Sequence, residues 1–308
     1  MKCEKYAVYV NQLHQEQAMK KILAIQSAPS RHWVGDGFPV RSLFTYGSGQ
    51  TDRVSPFLLL DYAGPEYFAG ADKPRGVGEH PHRGFETVTL VYQGEVAHKD
   101  STGQGGVIGP GDVQWMTAGS GILHEEFHSE SFTQTGGMLE MVQLWVNLPA
   151  EYKMTRPNYQ AILSRSIPEV ELPDKAGTIR VIAGSHADTV GPARTFSPMT
   201  VLDMRLNSGQ TKISVPNGWN TILVVLHGKI KINNDLVAEA AQLVVLDRAG
   251  DYLGFETGDD AKVLLLAGEP IDEPVVGYGP FVMNSENELQ QALADYRAGK
   301  FGRIPASG

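Results

Sequence analysis

Residues 80–96, HPHRGFETVTLVYQGEV, align without a gap on residues 214–230, SVPNGWNTILVVLHGKI. Gly84 falls on Gly218, Phe85 on Trp219, Thr87 on Thr221 and Gly94 on Gly228. With one gap of four, 121–127 (GILHEEF) falls on 251–257 (DYLGFET). Thr87, Val88, Thr89, Val91 and Tyr92 are β-formers, and the glycines mark turns between strands. Two copies of one strand–turn–strand unit in a chain of 308 residues predict two β-barrels or sandwiches, each burying its own core.

The surrounding chain agrees. Phe57-Leu58-Leu59-Leu60 is a short apolar run between Pro56 and Gly64-Pro65. From Glu140 to Leu148 the residues alternate, with Val142, Leu144, Val146 and Leu148 on one face and Met141, Gln143, Trp145 and Asn147 on the other. Residues 199–206, 242–246 and 262–267 read as further strands. One helix is expected near the end. Ser285 is its N-cap, Glu288 completes a capping box, Leu289, Ala292, Leu293 and Tyr296 form its stripe, and Gly299 ends it. The expected division is a polar extension over 1–21, a first domain over 22–155, a Pro-bearing segment over 156–177 and a second domain over 178–308.

Composition sets outer limits. The chain is 42% hydrophobic and 20% charged, which is the balance of a globular protein. A net charge of -9 repels phosphate backbones, so direct nucleic-acid binding is not expected. The single cysteine, Cys3, has no partner for an internal disulfide, which favours a reducing compartment. No apolar run reaches the ~18 residues of a membrane span. The stretch Met19–Ile25 opens like an export signal but its apolar core stops at Gln26. The cytoplasm is the expected location.

Nine histidines are present, and five of them fall between residues 80 and 128: His80, His82, His98, His124 and His128. Residues two apart on an extended chain share a face. His80-Pro81-His82 therefore aims two imidazoles one way, and His124-Glu125-Glu126 aims an imidazole and a carboxylate one way. On facing strands these pairs would supply three nitrogens and one oxygen. That donor set suits Fe(II), Mn(II), Ni(II), Cu(II) or Zn(II) with positions left open. Glu86, four residues after His82, is a rival carboxylate. His98 reads as a turn residue and His128 as a solvated one. In the second copy the alignment puts Ser214, Pro216 and, past the gap of four, Gly254 at the imidazole positions and leaves only Glu256. Imidazoles needed for folding would appear in both copies, so their restriction to one points to chemistry.

The segments HPHRGFETVTLVYQGEVAHKD, PGDVQWMTAGSGILHEEF and MVQLWVNLPAEYKM resemble the signature of the pirin family, and AGEPIDEPVVGYGPFVMNSENELQQALADYR resembles its C-terminal signature. The resemblance runs over roughly residues 22–303. It implies a mainly β bicupin, two jelly-roll barrels with a short C-terminal helix, and one metal, usually iron, in the first barrel alone. It implies His80, His82, His124 and Glu126 as ligands, and so decides against Glu86. It further implies quercetin 2,3-dioxygenase activity on a flavonol with O2, with Glu126 as general base. The alternative it carries is an iron-dependent regulator that binds a transcription factor or a metabolic enzyme.

Overall fold

The computed structural model describes residues 18–27 and 29–305, so Cys3 and most of the extension lie outside the described residues. Two barrels are present, each made of a seven-stranded and a four-stranded antiparallel sheet. In the first, the large sheet runs Asn158–Ile162, Val113–Thr117, Phe85–Gln93, Gly137–Asn147, Phe57–Phe68, Phe38–Thr45, His32–Val34. Its small sheet runs Gly76–His82, Ile122–His128, Val96–Asp100, Gly105–Ile108. The second barrel repeats the plan, with Gly209–Ser214, Tyr252–Thr257, Lys229–Ile232 and Leu236–Glu239 as its small sheet. Among the described residues no helix is long and apolar enough to cross a membrane.

The two large sheets pack back to back. Val88, Leu90, Val142, Leu144 and Val146 of the first share one buried cluster with Val201, Ile222, Val224, Leu264 and Leu266 of the second. The clean apolar face of the 140–148 alternation therefore meets the other barrel. Its mixed face, with Met141, Gln143 and Trp145, looks into the first barrel. Glu86 is in phase with Val88 and Leu90, so it too points at the other barrel. There it accepts a hydrogen bond from Thr117 Oγ1 at 2.7 Å, and burial pushes its carboxyl up to about 7.

The chain ends cross between the barrels. Ile22–Ser27, expected in the first domain, is an edge strand of the second barrel's large sheet, paired with Gln242–Leu246. The helix Glu286–Arg297, capped by Ser285 as expected, packs back on the first barrel. Leu289 and Ala292 join Phe281 and Phe301 against Leu123, and Asp295 pairs with Arg83 at 2.9 Å. A period-2 or 3.6 pattern says which face is buried, and it carries no information on which barrel buries it.

Strand phase also corrects the repeat alignment. Val96 and Ile230 each lie two residues past a positive-φ glycine, Gly94 and Gly228. His98 pairs with Glu126 in the first barrel and Ile232 with Phe255 in the second. His124 pairs with His80, and Leu253 with Ile213. The counterparts of His80, His82, His124 and Glu126 are thus Ile213, Val215, Leu253 and Phe255, all buried in the second core. Ser214, Pro216 and Gly254 are one residue off, because the turn before Gly218 is one residue longer. Glu256 faces outward, 40% exposed, beside Lys231 at 3.5 Å.

Gly84 and Gly218 hold equivalent turns at φ +89 and +87, where only glycine is relaxed. A Cβ on Gly84 would stand 2.0 Å from the Val282 carbonyl oxygen, whereas one on Gly218 meets nothing within 4 Å. Gly218→Ala should therefore cost about 1–2 kcal/mol from backbone strain alone. Gly84→Ala should cost on the order of 4 kcal/mol or more, since the backbone at Val282 must move as well. Urea unfolding of the two variants checks this, and equal losses would contradict it.

Candidate metal centre

His80 and His82 end the strand Gly76–His82, and His124 lies on its neighbour Ile122–His128, directly opposite His80. The two histidine-bearing segments are adjacent strands of one sheet, where facing strands were expected. Opposed residues of an antiparallel pair share a face at close range, so the convergence survives. The ring centroids are 4.2 Å (His80–His124), 4.7 Å (His82–His124) and 4.9 Å (His80–His82) apart. Their donor atoms all lie within 4.8 Å of one another. A bulge separates His124 from Glu126, which sits opposite Val77 on one side and His98 on the other. Glu126 forms an overlapping group with His124 and His98, again within 4.8 Å. Glu125 points to the outer side, as expected, lining a groove with Lys99 and Phe127.

The hydrogen bonds set the tautomers. A carbonyl only accepts, so His80 Nδ1–H donates to Gly78 O at 2.8 Å and Nε2 keeps its lone pair. The His82 ring donates to the Pro280 carbonyl, and its buried Nδ1 has no partner. His98 Nε2 donates toward Asp100 Oδ2 at 3.5 Å, leaving His98 Nδ1 to accept from His124 Nδ1–H at 3.3 Å. His124 Nε2, buried, is left without a partner. His80, His82 and His124 thus each keep one free lone pair, and His98 keeps none. Burial first, and neighbouring histidines second, hold His82 and His124 well below the ordinary imidazole value, so both are neutral at pH 7. Leaving a buried nitrogen unsatisfied costs about 1–3 kcal/mol. Two such nitrogens beside a third free one and a carboxylate fit a divalent cation.

His98 and His128 differ from their sequence reading. His98 lies in the strand Val96–Asp100, is buried, and stacks on Tyr159 at 5.3 Å. Burial pushes the Asp100 carboxyl up, but hydrogen bonds from His98, Thr102 and Gln104 outweigh it and hold it below the usual carboxylate value. The His98-Lys99-Asp100 spacing, i and i+2 on a strand, was the overlooked signal. His128 is buried among Phe38, Phe68 and Phe132 and donates from Nε2 to Gly37 O at 2.9 Å.

A cavity of about 310 Å³ opens beside the histidines. His80, His82 and Glu126 stand at one side, and Phe38, Val40, Val77, Met141 and Trp145 form apolar walls. Gln143 Nε2 donates to both Glu126 oxygens, at 3.2 and 3.1 Å, and the Thr89 hydroxyl lies 3.3 Å from Oε1.

Two antiparallel barrels in tandem, with inward-facing histidines in one of them, define a bicupin. The chain matches the Pirin family over residues 37–146 and the pirin C-terminal cupin domain over 201–302. It belongs to the pirin family. A Pseudomonas aeruginosa protein provisionally named a quercetin 2,3-dioxygenase is 58% identical over 287 residues, covering 92% of this chain and 99% of its own. A Caulobacter vibrioides pirin-like protein is 43% identical, covering 86% of this chain and 94% of its own. The crystal structure of a quercetin 2,3-dioxygenase from Acinetobacter baumannii superposes with a TM-score of 0.90 at 52% identity, over 94% of this chain and all of that one (100%).

His98→Ala removes the acceptor that fixes the His124 tautomer without removing any of the four predicted ligands. It should weaken retention of a divalent ion by about 10–100-fold. Metal content after dialysis against graded chelator, compared with wild type, is the check; unchanged retention would show that the Asp100–His98 pair does not orient His124.

Proposed function

We propose that the protein is a metal-dependent dioxygenase of the quercetin 2,3-dioxygenase type, cleaving the flavonol heterocycle with O2. One divalent ion is held in the first barrel by His80, His82, His124 and Glu126, and none in the second. The family resemblance favours Fe(II); Mn(II), Ni(II), Cu(II) and Zn(II) suit the same donors. The observation that carries this reading is the set of free imidazole lone pairs at the side of a largely apolar cavity, with the Glu126 carboxylate beside them. The names of the Pseudomonas and Acinetobacter relatives support it.

Held by His80, His82, His124 and Glu126, a divalent ion would supply the positive charge that lowers the pKa of a flavonol hydroxyl. Glu126 takes the proton of the 3-hydroxyl onto a carboxylate oxygen. Gln143 and Thr89 keep that carboxylate turned into the cavity. Trp145, stacked on Phe85 at 4.3 Å, and Phe38 give flat apolar walls that exclude water from the ring system. The test is anaerobic loading with Fe(II), addition of quercetin, and admission of air while the flavonol absorbance is followed. Persistence of that absorbance in protein retaining iron would overturn the reading.

Glu126→Gln keeps volume but loses the base, and should lower turnover about 10²-fold or more while retaining part of the metal. Glu125→Gln, on the outer face, should change turnover little. Glu86→Gln faces the other barrel and should act on stability more than on turnover. Turnover and metal content on one preparation of each variant separate the three, and a crippled Glu125→Gln would mean the strand phase is wrong.

A further inference from the structure

A polar row crosses the floor of the cavity. Thr89 is registered opposite Gln143, Gln143 opposite Asp61, and Asp61 opposite Ser42, on four successive strands of the large sheet. On the same face the next row is apolar: Val91, Met141, Ala63 and Val40. The first two members of the polar row are engaged by Glu126, since Gln143 donates to it and Thr89 lies within reach of both. Asp61 is one strand spacing, about 5 Å, from Gln143, on the next strand of the floor. It lines the same cavity.

Asp61, half-buried, differs from the ion-paired carboxylates of the chain. Asp203 is paired with Arg180, and Asp295 with Arg83 and Lys300. Among the described residues Asp61 has no ion pair; its hydrogen bond comes from Ser42 Oγ to Oδ1 at 2.5 Å. The residue itself lines the cavity, among Phe38, Val40 and Met141. Burial raises the carboxyl above its usual value, with the Ser42 bond and nearby His32 opposing the rise. A half-satisfied carboxylate in an apolar cavity is a place for a donor brought by the ligand.

We infer that Asp61 is a second anchor of this cavity, accepting from the large-sheet floor a hydrogen bond from a substrate hydroxyl other than the one Glu126 deprotonates. Resting on the dioxygenase reading, this makes the site selective for planar polyphenols that carry a further hydroxyl over flavonols bearing the 3-hydroxyl alone. A cavity of about 310 Å³ holds one compact fused-ring ligand, so both hydroxyls are read at once.

The experiment uses metal-loaded full-length protein under nitrogen and two probes, quercetin and 3-hydroxyflavone. Binding is titrated by flavonol absorbance, and kcat and KM are then measured in air. Wild type should bind quercetin about 10-fold or more tighter than 3-hydroxyflavone, the scale of one hydrogen bond to a charged group. In Asp61→Ala that affinity ratio should collapse toward one, with the loss in KM more than in kcat. Asp61→Asn, equal in volume and still able to accept, should keep an intermediate ratio, which a packing defect would not produce. A ratio unchanged in Asp61→Ala, or equal affinities in wild type, overturns the anchor while flavonol turnover leaves the enzymatic reading standing. Metal-loaded wild type that binds neither probe removes that reading, and the anchor with it.

Discussion

The face of each large sheet turned away from its own barrel is mainly apolar and has to be covered. In this protein the cover is the other barrel's large sheet. The burial of Phe85–Gln93 and Asn220–His227 on both sides follows from that contact. Full burial of a Val or Leu is worth about 1.5–3 kcal/mol, so the joint row of Val88, Leu144, Ile222 and Leu264 is strongly favoured over exposure. Fixing the large sheets back to back leaves the small sheets on the outside of the pair. The histidines are on such a small sheet, with a cavity beneath them that the second barrel does not block.

The second barrel shows what the same frame does without chemistry. Ile213, Val215, Leu253 and Phe255 fill the places of His80, His82, His124 and Glu126, and the interior closes as hydrocarbon. In the first barrel those places hold neutral rings with unspent lone pairs, an arrangement that lowers stability unless a ligand meets it. The supporting groups are polar too: Asp100 and His98 behind His124, Gln143 and Thr89 behind Glu126. The polar groups thus extend behind the histidines in one copy, whereas in the other the ligand positions and that of His98, Ile232, are apolar.

The crossing arms bind this site to the whole chain. Pro280, beyond the second barrel, lines the cavity, and its carbonyl accepts a hydrogen bond from the His82 ring. Arg83, next to His82, is held by Asp295 of the terminal helix and donates from Nε to Ser120 O at 2.7 Å. The orientation of one imidazole therefore depends on a segment some 200 residues away in the chain. A protein assembled this way positions its ligands only when both barrels have formed.

By itself the sequence determined the elements and the direction of side chains within them. Period-2 spacing put His80 with His82 and His124 with Glu126, set Glu125 on the opposite face, and separated Val142, Leu144 and Val146 from Met141, Gln143 and Trp145. Capping residues located the helix at Ser285, and glycines located the turns. These are local properties, decided by backbone geometry within a few residues. The tertiary structure decided which face became cavity and which became interface, because both were apolar enough to be buried. It also decided that the histidine strands are neighbours, that Glu86 faces the other barrel, and that Ile22–Ser27 and the terminal helix each serve the opposite half. The roles of His98 and Asp61 belong to the same class. Their partners lie on other strands, and only the pairing register, set by turn lengths and cross-strand packing, brings them into place.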